Sequence, residues 1–402
     1  VEVSASDMGL SCEDANVVEE AFEYGKEGNI VQRYKIMKDL QQEPHVFSLQ
    51  FQVDEDTIRS IVEEKCTVYD VEAEDATVTR EGGSFEITPG TKGIKLNVDA
   101  SVEKIVETMS GWDGTGISID LVCEVEEPRG TEEDFAQVKD VLGTFTTSFS
   151  SSGANRTKNV TTGAEKIDGT VVYPGETVSV YELTQPYTEE NGYATAVAYE
   201  NGREVDSVGG GICQVSTTLY NAVLKAELEV VERANHSMIV GYVDPSMDAA
   251  IAGTYKDLKF KNSTDAPIYI EGYVENKKIT FTIYGHETRD TENRKVTYES
   301  EVLETTAPTP ALVYVADAAQ PVGYKVVTQS AHTGYKARLW KIVTVNGVEE
   351  SREVINNSTY NASPAYCSVG TMWADPNVTA AVEAAIATQD NATIDATIAP
   401  YA

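Results

Sequence analysis

The chain has 402 residues, of which 41% are hydrophobic, and its formal net charge is −34 at pH 7. This length exceeds one compact core, so two to four domains are expected. The charge excludes nucleic acid and anionic membrane surfaces as partners, because both would repel the chain. No apolar run approaches the roughly 18 residues that span a bilayer. The pattern at Val1 is typical of the middle of a domain, so a signal or membrane anchor upstream of Val1 is an expectation.

Residues 1–144 predict an α+β domain. A polar helix is expected from about residue 13 to 40, interrupted at its glycines. Residues 48–64 and 94–109 then share one plan, an alternating strand that ends in Val-Asp and leads into a helix. Asp54 and Asp99 are the predicted N-caps of these helices, because an aspartate accepts hydrogen bonds from the free N–H groups of a first turn. This plan is typical of a scaffold or binding module.

The second predicted domain covers residues 145–288. From about Gly143 the composition changes to Ser, Thr, Gly and Asn, which predicts a linker over residues 145–153. The rest predicts an α+β fold, mostly β, with one helix of the kind that carries catalytic residues. The predicted strands cover residues 169–173, 177–181, 228–232, 258–260, 267–274 and 278–284.

Residues 289–372 predict an all-β domain. The alternation over residues 339–345, followed by Asn346 and Gly347, predicts a hairpin. Residues 373–402 predict a helical tail, in which Asp375 caps a helix that has Pro376 at its first position. The Ala-rich body of this helix is expected to be peripheral.

The strongest chemical signal is GGGICQVSTTLYN, residues 209–221. Cys213 opens a predicted amphipathic helix, so its thiol is expected near the positive end of the helix dipole, which favours the nucleophilic thiolate. Gly210 and Gly211 permit unusual backbone conformations and close approach of a substrate. N–H groups without helical acceptors could stabilise an oxyanion. The segment therefore predicts an acyl-transfer site, although a lone cysteine also occurs as a small core residue.

A cysteine nucleophile needs a base, and His236 is the predicted one. A strand that returns after the helix could bring it beside Cys213, whereas a loop histidine can also have a purely structural role. Asp248, Asp257 and Asn235 are all candidates to orient the ring, as is a backbone carbonyl. The spacing does not choose among them.

Other polar residues near the thiol allow two interpretations each. Ser216 and Thr217 either face a substrate or bond a backbone carbonyl one turn back. Arg156 either binds a substrate carboxylate or forms a surface ion pair. The five cysteines are too sparse for a disulfide framework, and the four histidines lack metal-ligand spacing. Neither a metal nor a cofactor is therefore predicted.

The stretch from residue 145 to 286 resembles the VanW domain of cell-envelope proteins in Gram-positive bacteria. It departs from the family at residues 177–180, where Phe-Ser is usual, and at Ala250, where Thr is usual; neither departure involves Cys213 or His236. The matching segments are RTKNV at residues 156–160, YPGE at 173–176, GGGICQVSTTLYN, VER with HS within 231–237, DA at 248–249 and DLKFKN at 257–262.

The flanking regions resemble wall-associated modules. The first domain is similar to a peptidoglycan-binding domain that often precedes VanW, and the third is similar to a β domain named for its five glycines. The resemblance implies an extracellular, cell-surface or cell-wall protein whose partners are peptidoglycan stem peptides, with glycan as a further candidate. It also implies L,D-transpeptidase activity, in which a cysteine attacks a stem carbonyl and the acyl group passes to an amine of another stem.

The leading hypothesis is an L,D-transpeptidase that forms 3-3 cross-links through a Cys213 thioester, with His236 as base and Asp248 or Asp257 as orienting group. One alternative is a peptidoglycan cysteine peptidase, which would hydrolyse the same thioester. Another is a non-catalytic peptidoglycan-binding surface protein or adhesin. The candidate oxyanion- or substrate-binding residues are Gly210, Gly211, Gln214, Ser216, Thr217, Arg156 and Arg233.

Overall fold

The computed structural model describes residues 1–12, 16–49, 51–200 and 203–402. The chain divides into two compact units, residues 1–77 with 88–131 and residues 78–87 with 132–402. Within the described ranges, no helix is both long and apolar enough to cross a membrane.

The secondary structure alternates between helices and strands in the first two thirds of the chain and is mainly β afterwards. The helices are α1 (Val17–Glu23), α2 (Ile30–Gln42), α3 (Glu55–Lys65), α4 (Val98–Ser110), α5 (Glu132–Ala136), α6 (Ala154–Ile167), α7 (Val180–Thr184), α8 (Ile212–Lys225), α9 (Pro376–Ala387) and α10 (Asn391–Ile398). The first strands are β1 (Ser11–Cys12), β2 (Phe51–Gln52), β3 (Thr77–Glu81), β4 (Ser84–Thr88), β5 (Gly93–Leu96), β6 (Cys123–Glu126), β7 (Asp140–Ser148), β8 (Thr170–Val172), β9 (Thr177–Ser179), β10 (Thr195–Glu200) and β11 (Arg203–Val208). The later strands are β12 (Glu229–Glu232), β13 (Lys259–Lys261), β14 (Ile268–Glu275), β15 (Lys278–Gly285), β16 (Arg294–Thr306), β17 (Leu312–Pro321), β18 (Lys325–Gln329), β19 (Gly334–Val345), β20 (Val348–Tyr360) and β21 (Ala365–Met372).

The first unit has its core between α3 and α4, which bury Ile58, Val62, Val102 and Met109 against each other. Residues 13–15, where the polar helix was expected to begin, lie outside the described residues. Beyond them the predicted interruption is confirmed, because α1 ends at residue 23 and α2 begins at residue 30.

The two predicted N-caps have different outcomes. Asp54 caps α3 by accepting from the N–H of Thr57 at 2.9 Å, which confirms the prediction. The prediction for Asp99 is wrong, because α4 begins two residues earlier than such a cap implies and Asn97 caps it. The Asp99 carboxylate instead pairs with Arg59 at 2.5 Å. Asparagine and aspartate are equally good caps, so composition alone could not separate Asn97 from Asp99.

The core of the second unit lies on a four-stranded antiparallel sheet in the order β7-β15-β14-β8, against which α6 and α8 pack. The linker expected at residues 145–153 is partly wrong, because β7 runs through Ser148 and α6 begins at Ala154. The threonines of this strand pair with threonines of β15: Thr144 with Thr282 at 3.0 Å, and Thr146 with Thr280 at 2.8 Å. Threonine is β-branched, so a Thr-rich run suits a strand as well as a loop.

A second, three-stranded sheet in the order β12-β13-β9 lies in the same unit. The strand predicted over residues 177–181 ends at Ser179, because the Ser179 hydroxyl accepts from the N–H of Glu182 and caps α7. The remaining predicted strands of this region are present with ends shifted by one residue or so.

The C-terminal region is all-β apart from its last helices. It contains the sheets β16-β19-β20 and β17-β21-β18, and β17 pairs with β21 in parallel. The predicted hairpin is confirmed: Asn346 and Gly347 connect β19 to β20 with φ angles of 52° and 80°. Positive φ at both central residues is the geometry that an Asn-Gly turn favours.

The helical tail packs on the second of these sheets. The predicted cap is confirmed, since Asp375 accepts from the N–H of Asn377 and Pro376 is the first helical residue. The expectation that the tail is peripheral is wrong. Helices α9 and α10 bury apolar side chains against the strands, namely Val382, Ala385, Ile386, Ile394 and Ile398.

Candidate active site

The candidate site is built at the start of α8. Gly211 is the N-cap residue and has a φ of 112°, a conformation that glycine adopts without strain. Gly210 lies so close to the hairpin of β10 and β11 that a Cβ there would be 2.4 Å from the carbonyl oxygen of Ala196. These two glycines allow the chain to turn tightly into a helix whose second residue is Cys213.

Cys213 is a free, partly exposed thiol. Its Sγ lies 3.3 Å from the carbonyl oxygen of Ile251 and 3.5 Å from the amide nitrogen of the same residue. The ring of His236 is close enough to interact with this side chain and to shift the pKa of its thiol. The Ile251 N–H and the dipole of α8 both favour a negative charge on the sulfur.

His236 is only 7% exposed and lies between the thiol and a carboxylate. Its Nδ1 is 2.7 Å from Oδ2 of Asp248, and the same oxygen accepts from the backbone N–H of His236 at 2.8 Å. Because Nδ1 is engaged by Asp248, Nε2 is the ring nitrogen that remains for Cys213. The three side chains thus have the arrangement of a nucleophile, a base and an orienting carboxylate.

The protonation states of these three groups depend on one another. Burial acts to raise the pKa of the Cys213 thiol, but the hydrogen bond and charge of His236 outweigh it and lower that pKa below its ordinary value. Burial acts to lower the pKa of His236, but the bonds to Asp248 and Cys213 raise it to about 9. For Asp248, burial is outweighed by His236 and Arg233, and the pKa falls to about 2. Both shifts favour a thiolate beside an imidazolium, compared with an isolated cysteine and histidine.

Asp248 is completely buried and is held by several donors. Arg233 donates from Nη2 to Oδ1 at 2.9 Å and from Nε to the backbone carbonyl of Asp248 at 2.6 Å. The Tyr360 hydroxyl also donates to Oδ1. Arg233 was expected to bind substrate; its buried guanidinium is instead committed to neutralising Asp248.

Ser216 and Thr217 hold the loop that carries Asp248. Both hydroxyls donate to the carbonyl of Ala249, at 2.6 and 3.1 Å, and the Thr217 hydroxyl accepts from the N–H of Ala249 at 3.0 Å. Both side chains are fully buried. This position contradicts a direct contact with substrate and gives them a positioning role.

Gln214 and Arg156 connect α8 to its neighbours. Gln214 is buried; its Nε2 donates to the Thr147 hydroxyl at 2.9 Å, and its Oε1 accepts from Nη2 of Arg156 at 2.9 Å. Arg156 also donates from Nη1 to the Ser152 hydroxyl at 2.7 Å. The bonded, buried amide contradicts a substrate contact by Gln214. The guanidinium of half-buried Arg156 donates both of these hydrogen bonds to side chains of the protein itself.

Asp257 and Asn235, the other candidates to orient His236, are bonded elsewhere. Asp257 accepts from the Ser179 hydroxyl at 2.5 Å and from the N–H groups of Tyr181 and Leu258 at 2.9 and 2.7 Å. Asn235 donates from Nδ2 to the backbone carbonyls of its neighbour His236 and of Thr359. The geometry therefore selects Asp248.

The first turn of α8 offers a specific oxyanion donor. The N–H groups of Gly210, Ile212 and Gln214 donate to the carbonyls of Ser207, Gly209 and Gly211, at 3.2, 3.1 and 2.9 Å. Gly210 is thus not a free donor, contrary to expectation. Within the described residues the Cys213 N–H, in the same turn, has no such carbonyl acceptor. The Gly211 N–H likewise has no backbone acceptor among the described residues, so it and the Cys213 N–H are the candidate oxyanion donors.

Sequence reasoning missed three residues that shape the site: Ile251, Ser358 and Tyr360. Ile251 acts through its backbone, so its side chain carries no signal. Ser358 accepts from Nη1 of Arg233 at 2.9 Å, and Tyr360 bonds Asp248 across 112 positions of sequence. Both belong to a region predicted to be a separate domain, and no local pattern connects that region to the thiol.

Comparison with known proteins places the three central residues within one family match. A family model described as VanW like protein matches residues 155–284, which contain Cys213, His236 and Asp248. The chain is also 34% identical over 211 residues to "Uncharacterized protein YoaR" of Bacillus subtilis, a match that covers 52% of this chain and 69% of that relative. The chain belongs to the VanW-like protein family.

Other matches describe the regions around the VanW-like domain. A model described as "Putative peptidoglycan binding domain" matches residues 1–117, and a G5 domain model matches residues 288–372. This VanW-like protein is therefore cell-wall associated, with a cell-wall polymer as its partner. The vancomycin B-type resistance protein VanW of Enterococcus faecalis is 27% identical to this chain over 136 residues. The match covers 32% of this chain and 49% of that protein.

Two solved structures match the G5 region of this VanW-like protein. The IgA1 protease G5 domain is 23% identical and has a TM-score of 0.14; the match covers 21% of this chain and 100% of that one. The HP0197 G5 structure is 18% identical and has a TM-score of 0.11, with coverage of 19% and 95%.

Proposed function

We propose that this VanW-like protein is a cysteine acyltransferase of the cell wall, and specifically an L,D-transpeptidase that forms 3-3 cross-links between peptidoglycan stems. The observation that carries the proposal is the bond of the buried His236 ring to Asp248, together with the effect of that ring in lowering the pKa of the Cys213 thiol. A thiolate at a helix N-terminus, paired with an imidazolium, is the state in which cysteine attacks amide carbonyls.

In the first step the Cys213 thiolate attacks the carbonyl carbon of a donor stem peptide. The Cys213 N–H is placed to stabilise the oxyanion that forms. The imidazolium of His236 then gives its proton to the leaving amine as the C–N bond breaks, and a thioester to Cys213 remains. Asp248 keeps the ring oriented through both proton transfers.

In the second step an amine of an acceptor stem attacks the thioester. Neutral His236 takes a proton from that amine, a new amide bond forms, and the sulfur leaves as thiolate. The enzyme returns to its starting state and the two stems are joined. The cell-wall domains that the family models match on either side of the site support peptidoglycan as the substrate.

The test is incubation of the full chain with purified tetrapeptide muropeptides under reducing conditions. We expect a cross-linked dimer and a trapped acyl adduct on Cys213, both absent in Cys213→Ala. Cys123→Ser is the matched control, because Cys123 is an exposed thiol outside the VanW-like match and its loss should leave the product unchanged.

The products separate the proposal from its alternatives. A shortened monomer with one added water, formed without dimer, would indicate a peptidase that hydrolyses the same thioester. Neither product nor adduct, from folded protein with active donor and acceptor stems, would overturn catalysis and leave a wall-binding role.

A further inference from the structure

The carboxylate that orients His236 is held from outside the VanW-like match. Tyr360 is the last residue of β20, in the region matched by the G5 domain, and its hydroxyl donates to Oδ1 of Asp248. Ser358, two residues earlier in the same strand, accepts from Nη1 of Arg233, whose Nη2 bonds Oδ1 as well. The end of β20 therefore reaches Asp248 directly and through Arg233.

The hydrogen bonds of Asp248 divide cleanly between its two oxygens. Oδ2 accepts from the backbone N–H and the ring of His236. Oδ1 accepts from Arg233 and Tyr360. Because each oxygen has its own pair of donors, the carboxylate cannot rotate without losing bonds on both sides. Tyr360 is the neutral side-chain donor of this set, and burial, which raises its pKa to about 12, keeps the hydroxyl protonated.

Further bonds hold the loops of the site to the same strand end. The Tyr360 hydroxyl accepts from the N–H of Ser246 at 2.7 Å, two residues before Asp248. The N–H of Asn361 donates to the carbonyl of Ser237 at 2.7 Å, and Asn235 Nδ2 donates to the carbonyl of Thr359 at 2.8 Å. The loops that carry His236 and Asp248 are thus both fastened to residues 359–361.

We infer that the end of β20 is a structural part of the active site and that Tyr360 is a positioning residue, which fixes Asp248 so that His236 stays aligned with Cys213. On this view the G5 region of this chain is more than a wall-binding module or a spacer, because its strand end completes the active site. The inference deepens the proposed function and rests on it for the role of the Cys213–His236 pair.

Tyr360→Phe removes the hydroxyl and keeps the ring. Without this donor Asp248 is held on Oδ1 by Arg233 alone, the imidazole loses its fixed orientation, and the Cys213 thiolate loses part of its partner. We expect the pKa of the Cys213 thiol to rise by roughly half a unit to one unit, because part of the strength of the lost bond to charged Asp248 is passed on to the thiolate through His236. Alkylation of Cys213 at pH 6 should then be about three- to tenfold slower.

The measurement is the pH dependence of iodoacetamide alkylation in the full chain, read at the Cys213 peptide by mass spectrometry because all five cysteines are free. Tyr335→Phe is the matched control: Tyr335 lies opposite Tyr360 on β19, and the four bonds of the Asp248 carboxylate do not involve it. Circular dichroism and thermal unfolding establish that each variant is folded. Ser358→Ala, which acts through Arg233, should shift the thiol pKa in the same direction by a smaller amount.

A folded Tyr360→Phe protein whose Cys213 titrates as in the wild type, or at lower pH, would overturn the inference. If Tyr360→Phe does not fold, an unchanged titration in Ser358→Ala overturns it instead. The thiol titration needs no peptidoglycan, so it is independent of the transfer assay. A shifted titration in a protein that makes no product supports the positioning role and overturns the proposed function, whereas product formation with unshifted titrations does the reverse.

Discussion

Four ionisable side chains meet in the site, and they carry no net charge in the thiolate–imidazolium state. In that state Asp248 and Cys213 supply two negative charges, and Arg233 and His236 supply two positive ones. A buried charge without a partner is costly, so each of these groups stabilises the charged form of its neighbours. The pKa of the Cys213 thiol is thus lowered by a chain of contacts that ends at Arg233, in addition to any effect of the helix dipole.

Asp248→Asn should break this chain at its centre. The amide has no negative charge, so the pKa of His236 falls, the pKa of Cys213 rises, and the ring is no longer held in one orientation. We expect acyl transfer to fall by about 10²- to 10⁴-fold, as when the carboxylate of a related triad is replaced. Product formation from muropeptides and the alkylation rate of Cys213 near pH 6 measure the effect.

Asp257→Asn is the control for this variant, because Asp257 is equally buried but bonds Ser179 and backbone N–H groups at the start of α7. It should lower stability and leave the Cys213 titration where it is. Equal shifts of that titration in the two variants would contradict the selection of Asp248 over Asp257.

At the scale of elements, the start of α8 depends on how closely it approaches the β10–β11 hairpin. The space at Gly210 is limited by backbone atoms of Ala196, which cannot move aside as a flexible side chain would. The position of the Cys213 sulfur is therefore set by packing between two backbones.

Gly210→Ala should displace the start of α8. The added Cβ would lie 2.4 Å from the Ala196 carbonyl oxygen, so we expect the free energy of unfolding to fall by about 1–3 kcal/mol. Urea unfolding measures this loss, and slower alkylation of Cys213 reports the displaced thiol. Gly241→Ala is the control, since a Cβ at that exposed glycine meets no atom within 4 Å and should cost less than about 0.5 kcal/mol. A Gly210→Ala protein as stable and reactive as the wild type would refute the argument.

Local sequence patterns were enough to predict several of these elements, but not the distant residues that each element contacts. The start of α8, the Asp54 cap and the Asn346-Gly347 turn are decided by a few adjacent residues, so the sequence could predict them. The strand at residues 145–148 was missed because its threonines are paired only through β15, more than a hundred residues away. For the same reason the spacing could not choose between Asp248 and Asp257, and the roles of Ser358 and Tyr360 could not be predicted.

At the scale of the whole second unit, a cluster of charges joins the VanW-like region to the G5 region. Glu227 follows the C-terminus of α8, and its side chain is 13% exposed. It accepts two bonds from Arg294, at 2.6 and 2.8 Å, and pairs with Lys341 at 3.1 Å and Arg289 at 3.5 Å. One carboxylate therefore pairs with three cations from the C-terminal side of the unit, of which Arg289 also pairs with Glu287.

Glu227→Gln should weaken this connection. Burial acts to raise the pKa of Glu227, but the bonds to Arg294 and Lys341 lower it to about 2. The stabilisation is thus complete above the ordinary value of 4.5 and is lost as the pH falls through about 2. We expect a loss of about 2–3 kcal/mol in the free energy of unfolding at pH 7, and a stability curve that falls less steeply between pH 5 and pH 2.

Glu304→Gln is the matched control, because the Glu304–Lys336 pair is more than half exposed on both sides and should contribute less than about 1 kcal/mol. Urea unfolding at pH 7 and pH 3 compares the two variants. Equal losses at pH 7 would show that the Glu227 cluster has no special role in joining the regions.

The bonds from β20 to Asp248 and Arg233 also bear on how such genes can recombine. The family matches divide the chain between residues 284 and 288, yet the buried ions on one side of that division depend on Ser358 and Tyr360 on the other. A crossover there that joined an unrelated C-terminal segment would remove hydrogen bonds to two buried charged groups, at a cost of roughly 1.5–3 kcal/mol for each bond. We therefore expect selection to preserve the two segments together. Their phylogenies should coincide among proteins that retain residues equivalent to both Tyr360 and Asp248.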